Sequence, residues 1–311
     1  MPWKPTDIPD LTGRRALVTG VTGGLGVNTA IELARHGASL VVTARDAKKA
    51  DKSLDHIESK APGSDVAVIA LDLASLADVK RAADEVSAAY DHLDILVYNA
   101  GIMFPPKPSK TADGYELQMG TNHLGHFALT AHLWPLLVRS KARIVSVSSN
   151  MHKAATGVDL RTFTPEGSPR RYKRTQAYAE SKVSNLLFAL ELDRRVKSAG
   201  IDVVSVGAHP GYASTNITMT GPSAGGKSLQ AMGMHQVSKV IAQSAAAGAW
   251  PLLMAATDAS LTGGEYVGPG GPGGWRGRPT LVTMSRTARD TDLANALWAA
   301  SESAAGVEFV V

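Results

Sequence analysis

The chain has 311 residues, 44% of them hydrophobic, and a formal net charge of +4, so it can bury a substantial core and has no strongly basic or acidic character. It contains no cysteine, which excludes disulfides and thiolate metal sites and suits a reducing compartment. No apolar signal core and no run of membrane-spanning length occurs, so we expect a cytoplasmic protein with no membrane span.

Short β-branched runs alternate with longer amphipathic runs along most of the chain. We predict strands at 15–19, 39–44, 66–71, 94–98, 142–148 and 202–207. We predict helices at 25–36, 74–89, 114–139 and 176–198. The strands are apolar nearly throughout, as expected when both faces of a sheet are covered. This alternation predicts an α/β fold with a doubly wound parallel sheet of the Rossmann type, three-layer α/β/α, in a single domain over residues 1–311.

A glycine-rich turn follows the first predicted strand. It reads Thr19-Gly20-Val21-Thr22-Gly23-Gly24-Leu25-Gly26. Glycines between a strand and a helix let the backbone approach a pyrophosphate, whose charge is met by free amides and the helix dipole. A plain glycine-rich turn is the alternative, but its position in the first strand-to-helix unit favours a dinucleotide site. The spacing is a variant of the usual G-x-G-x-x-G pattern.

The helix predicted at 176–198 carries Tyr178 and Lys182 one turn apart on the same face. An ammonium group held beside a phenol favours the phenolate, which brings the phenol pKa toward a range useful for proton transfer. A Tyr/Lys pair at this spacing is also common by chance, so the other motifs must support this interpretation.

Together these motifs resemble the short-chain dehydrogenase/reductase family. The cofactor loop matches from Thr19 to Gly26, and the Tyr178/Lys182 pair matches the family's catalytic pair. Asn99-Ala100-Gly101 matches the motif after the fourth strand, and His209-Pro210-Gly211 matches the Pro-Gly turn after the sixth. The segments 121–127 and 181–188 are most similar to the retinol-dehydrogenase-like and protochlorophyllide-reductase-like branch.

The resemblance implies roles for several further residues. Ser149, the second of a hydroxyl pair, would be the catalytic serine, with Ser148 as the competitor one residue away and a backbone-capping role as the alternative. Asn122 would bind a water that links Lys182 to solvent, although a packing role remains open. The implied cofactor contacts are Asp72 with the adjacent Leu73, Asn99, Ala100, Gly101, Pro210, Gly211 and Thr215, together with Tyr178 and Lys182. Asp72 could instead cap the helix from Ala74 onward.

Arg45 indicates which dinucleotide is bound. In the family register, the position of the acidic residue that binds the ribose of NAD is occupied by Ala44, and Arg45 follows it. An arginine there can pair with a 2′-phosphate, which favours NADP(H) over NAD. Two alternatives stay open, namely that Asp46 reaches the ribose or that Arg45 is a surface residue.

These parts predict an oxidoreductase that interconverts a carbonyl and an alcohol by hydride transfer, with Tyr178 as general acid/base. We expect a substrate lid at about 212–240 and a Gly/Pro-rich C-terminal segment at about 268–311. Met219, Met232 and Met234 are candidate pocket residues, although methionines on a helix are more often core fillers. The lid composition suggests a hydrophobic small-molecule substrate. A catalytically silent NADP-binding scaffold or regulatory protein is the alternative function.

The sequence gives weaker evidence on nucleic acid, metal ions and other copies of the chain as partners. The basic residues at Arg170, Arg171, Lys173 and Arg174 read as a solvated loop, so we expect no nucleic-acid partner. Five of the nine histidines show no metal-ligand spacing, so we expect no metal; these five are His123, His126, His152, His209 and His235. The resemblance implies a possible homo-oligomer that pairs through the helix bearing Tyr178.

Overall fold

The computed structural model describes residues 3–45, 47–164, 166–167, 171–212 and 243–311. The helices are α1 Gly24–Arg35, α2 Ala47–Lys60, α3 Leu76–Ala89, α4 Leu117–Met119, α5 Gly125–Arg139, α6 Arg174–Ala199, α7 Ala245–Thr257 and α8 Thr291–Ala305. The strands are β1 Arg15–Thr19, β2 Ser39–Ala44, β3 Val66–Ala70, β4 Ile95–Tyr98, β5 Arg143–Val147, β6 Val204–Ala208, β7 Tyr266–Pro269 and β8 Pro279–Leu281. Within these described residues no helix is both long and apolar enough to cross a bilayer.

The eight strands form one sheet in the order β3-β2-β1-β4-β5-β6-β7-β8. Neighbouring strands are parallel except for the last pair, in which β8 runs antiparallel to β7. The chain winds outward from β1 to β3 and then crosses back to β4, so the winding direction reverses between β1 and β4. Ligands of such sheets bind beyond the carboxyl ends of the strands at this switch point.

Helices cover both faces of the sheet, which explains why the strands are apolar on both sides. One hydrophobic cluster joins the sheet to α1, α2 and α7, and a second joins it to α3, α5 and α6. Helix α8 packs on α6 and extends the second layer. The predicted single-domain, three-layer α/β/α fold is therefore confirmed.

The predicted elements differ from the observed ones mainly in two places. The helix predicted at 114–139 begins at Leu117 and contains a π-helical turn over Gly120–Leu124. The segment at 268–311 is Gly/Pro-rich only in its first part, since it contains β8 and the fifteen-residue helix α8. The sequence interpretation did not identify α2, α7, β7, β8 or α8. The lid predicted at about 212–240 lies outside the described residues except for Tyr212.

Candidate active site and cofactor groove

The glycine turn ends β1 and begins α1. Gly20 and Gly24 have φ values of +72° and +61°, a left-handed backbone that suits glycine. Gly23 precedes the first residue of α1, and no side chain caps the helix there. The first amide groups of a helix have no partner within the helix, and they carry the positive end of its dipole. This turn therefore offers free N–H donors suited to an anion.

Asn99 fastens the glycine turn from the neighbouring strand β4. Its Nδ2 donates hydrogen bonds to the carbonyl oxygens of Thr19 at 2.8 Å and Gly20 at 2.9 Å. The N–H of Ala100 donates to the Thr19 hydroxyl at 3.0 Å. A Cβ atom on Gly26 would lie only 2.4 Å from Asn99 Nδ2. The side chain of Asn99 thus holds the turn in shape, and Gly26 lets it approach.

A groove of about 920 Å³, including the solvent at its mouth, lies beyond the carboxyl ends of β1, β2 and β4. Eleven of the predicted cofactor residues line it, namely Gly20, Thr22, Gly23, Gly24, Leu25, Arg45, Asp72, Leu73, Asn99, Ala100 and Gly101. Five further residues complete the lining, namely Thr43, Ala44, Leu71, Ile102 and Thr121. The glycine-lined wall and the open helix N-terminus fit the pyrophosphate of a dinucleotide.

Two polar residues border the groove at the tips of β2 and β3. Arg45 is exposed at its edge. Asp72 accepts a hydrogen bond from the N–H of Ala74 at 3.0 Å, within its own turn. The alternative that Asp72 caps the following helix is wrong, because α3 begins at Leu76 and its N-cap is Ser75, whose hydroxyl accepts from the N–H of Asp78.

Tyr178 and Lys182 lie together in the first half of α6, and both are buried. The Lys182 Nζ lies 5.7 Å from the centre of the Tyr178 ring and donates to the carbonyl of Val147 at 3.1 Å. A Cβ on Gly101 would lie 3.6 Å from the same Nζ. Because Gly101 lines the groove, the ammonium group lies directly behind the groove wall.

Burial sets the proton affinity of both groups. It raises the pKa of Tyr178 to about 12, although the hydrogen bond with Ser149 acts in the opposite direction. Burial also lowers the pKa of Lys182 to about 8. We expected the Lys182 ammonium group to lower the pKa of the phenol, but in the structure that pKa is raised, because burial outweighs the opposing effect of Ser149. Tyr178 therefore keeps its proton at neutral pH.

Ser149 and Ser148 point to different partners at the end of β5. The Ser149 side chain hydrogen-bonds Tyr178 and also accepts from the N–H of Met151 at 3.2 Å, so it caps the short 3-10 helix Asn150–Ala154 as well. The Ser148 hydroxyl donates to the carbonyl of Lys182 at 2.7 Å. Only Ser149 of this pair contacts the Tyr178 side chain.

The Asn122 side chain is fully buried and satisfied by protein partners. Its Oδ1 accepts from the N–H of Ile102 at 2.8 Å, and its Nδ2 donates to the Ile102 carbonyl at 3.0 Å and to the Ser181 hydroxyl at 2.9 Å. It therefore ties the segment after β4 to α6, as the packing alternative predicts. Asn122 lies within the π-helical turn Gly120–Leu124, and its backbone carbonyl accepts a hydrogen bond from the His126 ring at 3.1 Å.

The Pro210-Gly211 turn lies apart from the lining of the groove. Gly211 has a φ of +68°, and a Cβ there would lie 2.4 Å from the carbonyl oxygen of Trp275. The His209 ring accepts from the N–H of Gly211 at 3.1 Å and is buried, which lowers its pKa to about 3 and indicates a packing role. Thr215 lies outside the described residues, as do Met219, Met232 and Met234.

Phe104 and Gln118 also shape the site, and the sequence interpretation did not identify them. The Phe104 ring meets the Tyr178 ring edge-on at 5.1 Å, and its backbone has a φ of +58°, which is strained for a phenylalanine. The buried Gln118 accepts from the N–H of Phe104 at 2.9 Å and donates to the carbonyl of Arg174 at 3.0 Å. Neither residue type signals such a backbone, so no sequence pattern predicted this contact.

Comparisons with a family model and with known proteins all point to the same family. Residues 14–158 match the family model described as short chain dehydrogenase. An uncharacterised oxidoreductase of Schizosaccharomyces pombe is 39% identical over 71% of this chain and 66% of its own length. Polyprenol dehydrogenase of Mus musculus is 34% identical over 96% of this chain and 85% of its own length. Retinol dehydrogenase 12 of Homo sapiens is 38% identical over 67% of this chain and 64% of its own length. The match thus covers just under two thirds of the yeast and human proteins.

Solved structures have the same architecture. A crystal structure of an uncharacterised protein from Mycobacterium paratuberculosis is 37% identical, covers 100% of both chains and has a TM-score of 0.80. The NADP complex of RhlG from Pseudomonas aeruginosa is 25% identical, covers 83% of this chain and 94% of its own, and has a TM-score of 0.61.

Proposed function

This chain belongs to the short-chain dehydrogenase family, and on that premise we propose that it is an NADP(H)-dependent oxidoreductase interconverting a carbonyl and a primary or secondary alcohol. The observation that carries the proposal is that the Lys182 ammonium group lies 5.7 Å from the centre of the Tyr178 ring and directly behind the wall of a glycine-lined groove, with Ser149 acting on the pKa of the same phenol. The family binds a nicotinamide cofactor, whose nicotinamide ring supplies or accepts the hydride.

Tyr178 is the proposed proton donor and acceptor. Its raised pKa keeps the phenol protonated at neutral pH, which is the form needed to protonate a carbonyl oxygen as negative charge builds on it. Ser149 would hold that oxygen through its hydroxyl, because it already contacts the phenol. Lys182 is buried nearby and contributes positive charge that favours the phenolate left after proton transfer. Oxidation of an alcohol uses the same groups in reverse.

The remaining predicted contacts divide into two groups. Thr22, Gly23, Gly24 and Leu25 would hold the pyrophosphate through their backbone, and Asp72 and Leu73 would border the adenine. Gly20 would line the groove, since its N–H already donates to the carbonyl of Thr43. Asn99 and Gly26 would act by shaping the glycine turn, and Asn122 by fixing Ile102 against α6. The roles of Pro210, Gly211 and Thr215 beside the nicotinamide remain predictions from the family resemblance.

We propose NADP(H) over NAD(H) because of Arg45. It is exposed at the edge of the groove, where a guanidinium group can pair with a 2′-phosphate. The NADP complex of the Pseudomonas aeruginosa relative supports this choice. For the substrate, we propose a hydrophobic carbonyl or alcohol. The names of the polyprenol and retinol dehydrogenases support an apolar alcohol, and the Phe104 ring beside Tyr178 supplies an apolar surface.

The test is a panel of hydrophobic ketones, aldehydes and alcohols, followed by NADPH absorbance with NADH in parallel. Tyr178→Phe removes only the hydroxyl, so we expect NADPH binding to persist and turnover to fall at least about a hundredfold. Tyr90→Phe, which removes a hydroxyl from the half-buried tyrosine that follows α3 outside the groove lining, is the matched control and should turn over as the wild type does. Equal turnover of the two variants would remove Tyr178 from this role. NADPH binding without turnover of any compound would favour the silent scaffold instead.

A further inference from the structure

A buried histidine lies behind Ser149, and the proposed reaction makes no use of it. His152 lies in the 3-10 helix Asn150–Ala154, and its side chain is inaccessible to solvent. Its Nδ1 is 2.7 Å from the carbonyl oxygen of Ser149, and its Nε2 is 3.1 Å from the backbone nitrogen of Ser285. The ring therefore bridges the serine to a segment far along the chain.

The two partners determine which nitrogen carries the proton. A peptide carbonyl can only accept a hydrogen bond, so Nδ1 must carry a hydrogen. A peptide N–H can only donate, so Nε2 must present its lone pair. The neutral Nδ1–H tautomer satisfies both contacts. A second proton on Nε2 would point at the N–H of Ser285 and break that contact.

The Ser285 side of the bridge is well anchored. The Ser285 hydroxyl accepts from the N–H of Ala288, and the Thr287 hydroxyl donates to the carbonyl of Ala155 at 3.0 Å. The segment after β8 is thus joined to the 3-10 helix at its middle, through His152, and at its C-terminal end, through Ala155. Ser149 is held from behind by its carbonyl, while its hydroxyl faces Tyr178.

We propose that His152 is a positioning residue for Ser149: its neutral Nδ1–H tautomer ties the Ser149 carbonyl to the amide of Ser285, and protonation at acidic pH breaks the Ser285 contact and so releases the helix that follows Ser149 from the segment after β8. This inference rests on the proposed oxidoreductase function for its kinetic consequence only. The tautomer and the bridge are properties of the folded chain.

The neighbouring groups place this protonation on the acid side. The Tyr266 ring meets the His152 ring edge-on at 5.4 Å, with its hydroxyl 3.5 Å from Nδ1. Burial raises the pKa of Tyr266, so it stays neutral. Burial lowers the pKa of His209, which also faces His152, to about 3. Burial lowers the pKa of His152. The hydrogen bond with the Ser149 carbonyl raises this pKa, and the charge of Lys153 lowers it by a smaller amount.

Nitrogen-15 NMR of histidine-labelled protein tests the bridge without any substrate. We expect the His152 signals, assigned by their loss in His152→Gln, to show a protonated Nδ1 and an unprotonated Nε2 at pH 7.5. The ring should titrate below the ordinary histidine value of about 6.5. A protonated Nε2 at pH 7.5, or titration at the ordinary value, would overturn the inference.

Kinetics against pH then test the consequence. His152→Gln keeps one donor and one acceptor but cannot titrate, so we expect kcat at pH 8 within about threefold of wild type and a weaker fall in kcat toward pH 5. His152→Leu loses both contacts and should lower kcat about tenfold or more, with little change in NADPH affinity. His56→Gln on the exposed face of α2 is the matched control and should keep the wild-type profile. An unchanged acid limb in His152→Gln contradicts the proposed release.

The two arms separate the two hypotheses. If the wild-type chain turns over no compound in the panel, the proposed function fails, and the NMR arm still decides the His152 bridge. If His152→Leu does not fold, His152→Gln alone carries the kinetic test.

Discussion

Gly26→Ala is the most direct test of how the cofactor groove is built. Gly26 lies in the first turn of α1, and an added Cβ would lie 2.4 Å from Asn99 Nδ2 and 2.5 Å from the carbonyl oxygen of Gly20. Both distances are too short for any real contact. The substitution must displace the Asn99 side chain, which would lose its bonds to Thr19 and Gly20, or move the glycine turn itself.

The expected cost follows from these contacts. Overpacking costs about 1–3 kcal/mol, and two lost hydrogen bonds add about 1 kcal/mol each. Alanine recovers up to about 1 kcal/mol through its better helix propensity. We therefore expect a net loss of about 2–5 kcal/mol, which lowers the Tm by roughly 3–8 °C for a domain of this size. Because the displaced atoms shape the groove, NADPH affinity should fall at least about tenfold.

The assay combines thermal unfolding with NADPH titration by fluorescence. Gly157→Ala is the matched control, because a Cβ there meets no atom within 4 Å and its backbone is not left-handed. It should leave both the Tm and the Kd unchanged. If Gly26→Ala behaves like Gly157→Ala in both measurements, Asn99 does not hold the turn in the way described.

Two further predictions concern charged groups. Lys182→Met should be more stable than wild type at pH 7.5 without added NADPH, because burial lowers the pKa of Lys182 from 10.5 to about 8. Between pH 7.5 and 9.5 the folded lysine loses its proton while the unfolded lysine keeps it, so raising the pH stabilises the wild type by about 1–2 kcal/mol relative to the variant. Urea unfolding at both pH values measures this, and a gap that widens with pH contradicts it. Arg45→Ala should weaken NADPH binding about tenfold to a hundredfold through the lost phosphate contact and leave NADH nearly unaffected; isothermal titration with both nucleotides checks this, and equal losses would exclude a 2′-phosphate contact.

The central part of the fold could be predicted from the sequence because local patterns determine it. The first six strands agree with their predicted ranges to within about two residues, since both faces of each strand are covered and the runs are apolar throughout. The Tyr178/Lys182 spacing and the glycine turn also depend on neighbours in the chain. Sixteen residues line the groove, and the eleven predicted ones follow predicted strands.

The rest depends on contacts between distant segments. The ring of His152 meets Ser285, and Gln118 joins Phe104 to Arg174, pairs that no periodicity connects. The C-terminal helix α8 had a local signal, since Asp290 caps it by accepting from the N–H of Leu293. The glycines and prolines of 268–279 dominated the interpretation of that whole segment and obscured this signal.

The connection between β7 and β8 is held to the rest of the site through its main chain. Carbonyl oxygens of Gly273 and Gly274 accept from Asn150, next to Ser149, and the carbonyl of Trp275 accepts from the N–H of Tyr212. Because backbone carbonyl oxygens accept these hydrogen bonds, the side chain at position 275 takes no part in them. The half-exposed Trp275 side chain can therefore be exchanged for others while the loop keeps its attachment, so this loop can tolerate sequence variation without losing its hold on the residue next to Ser149.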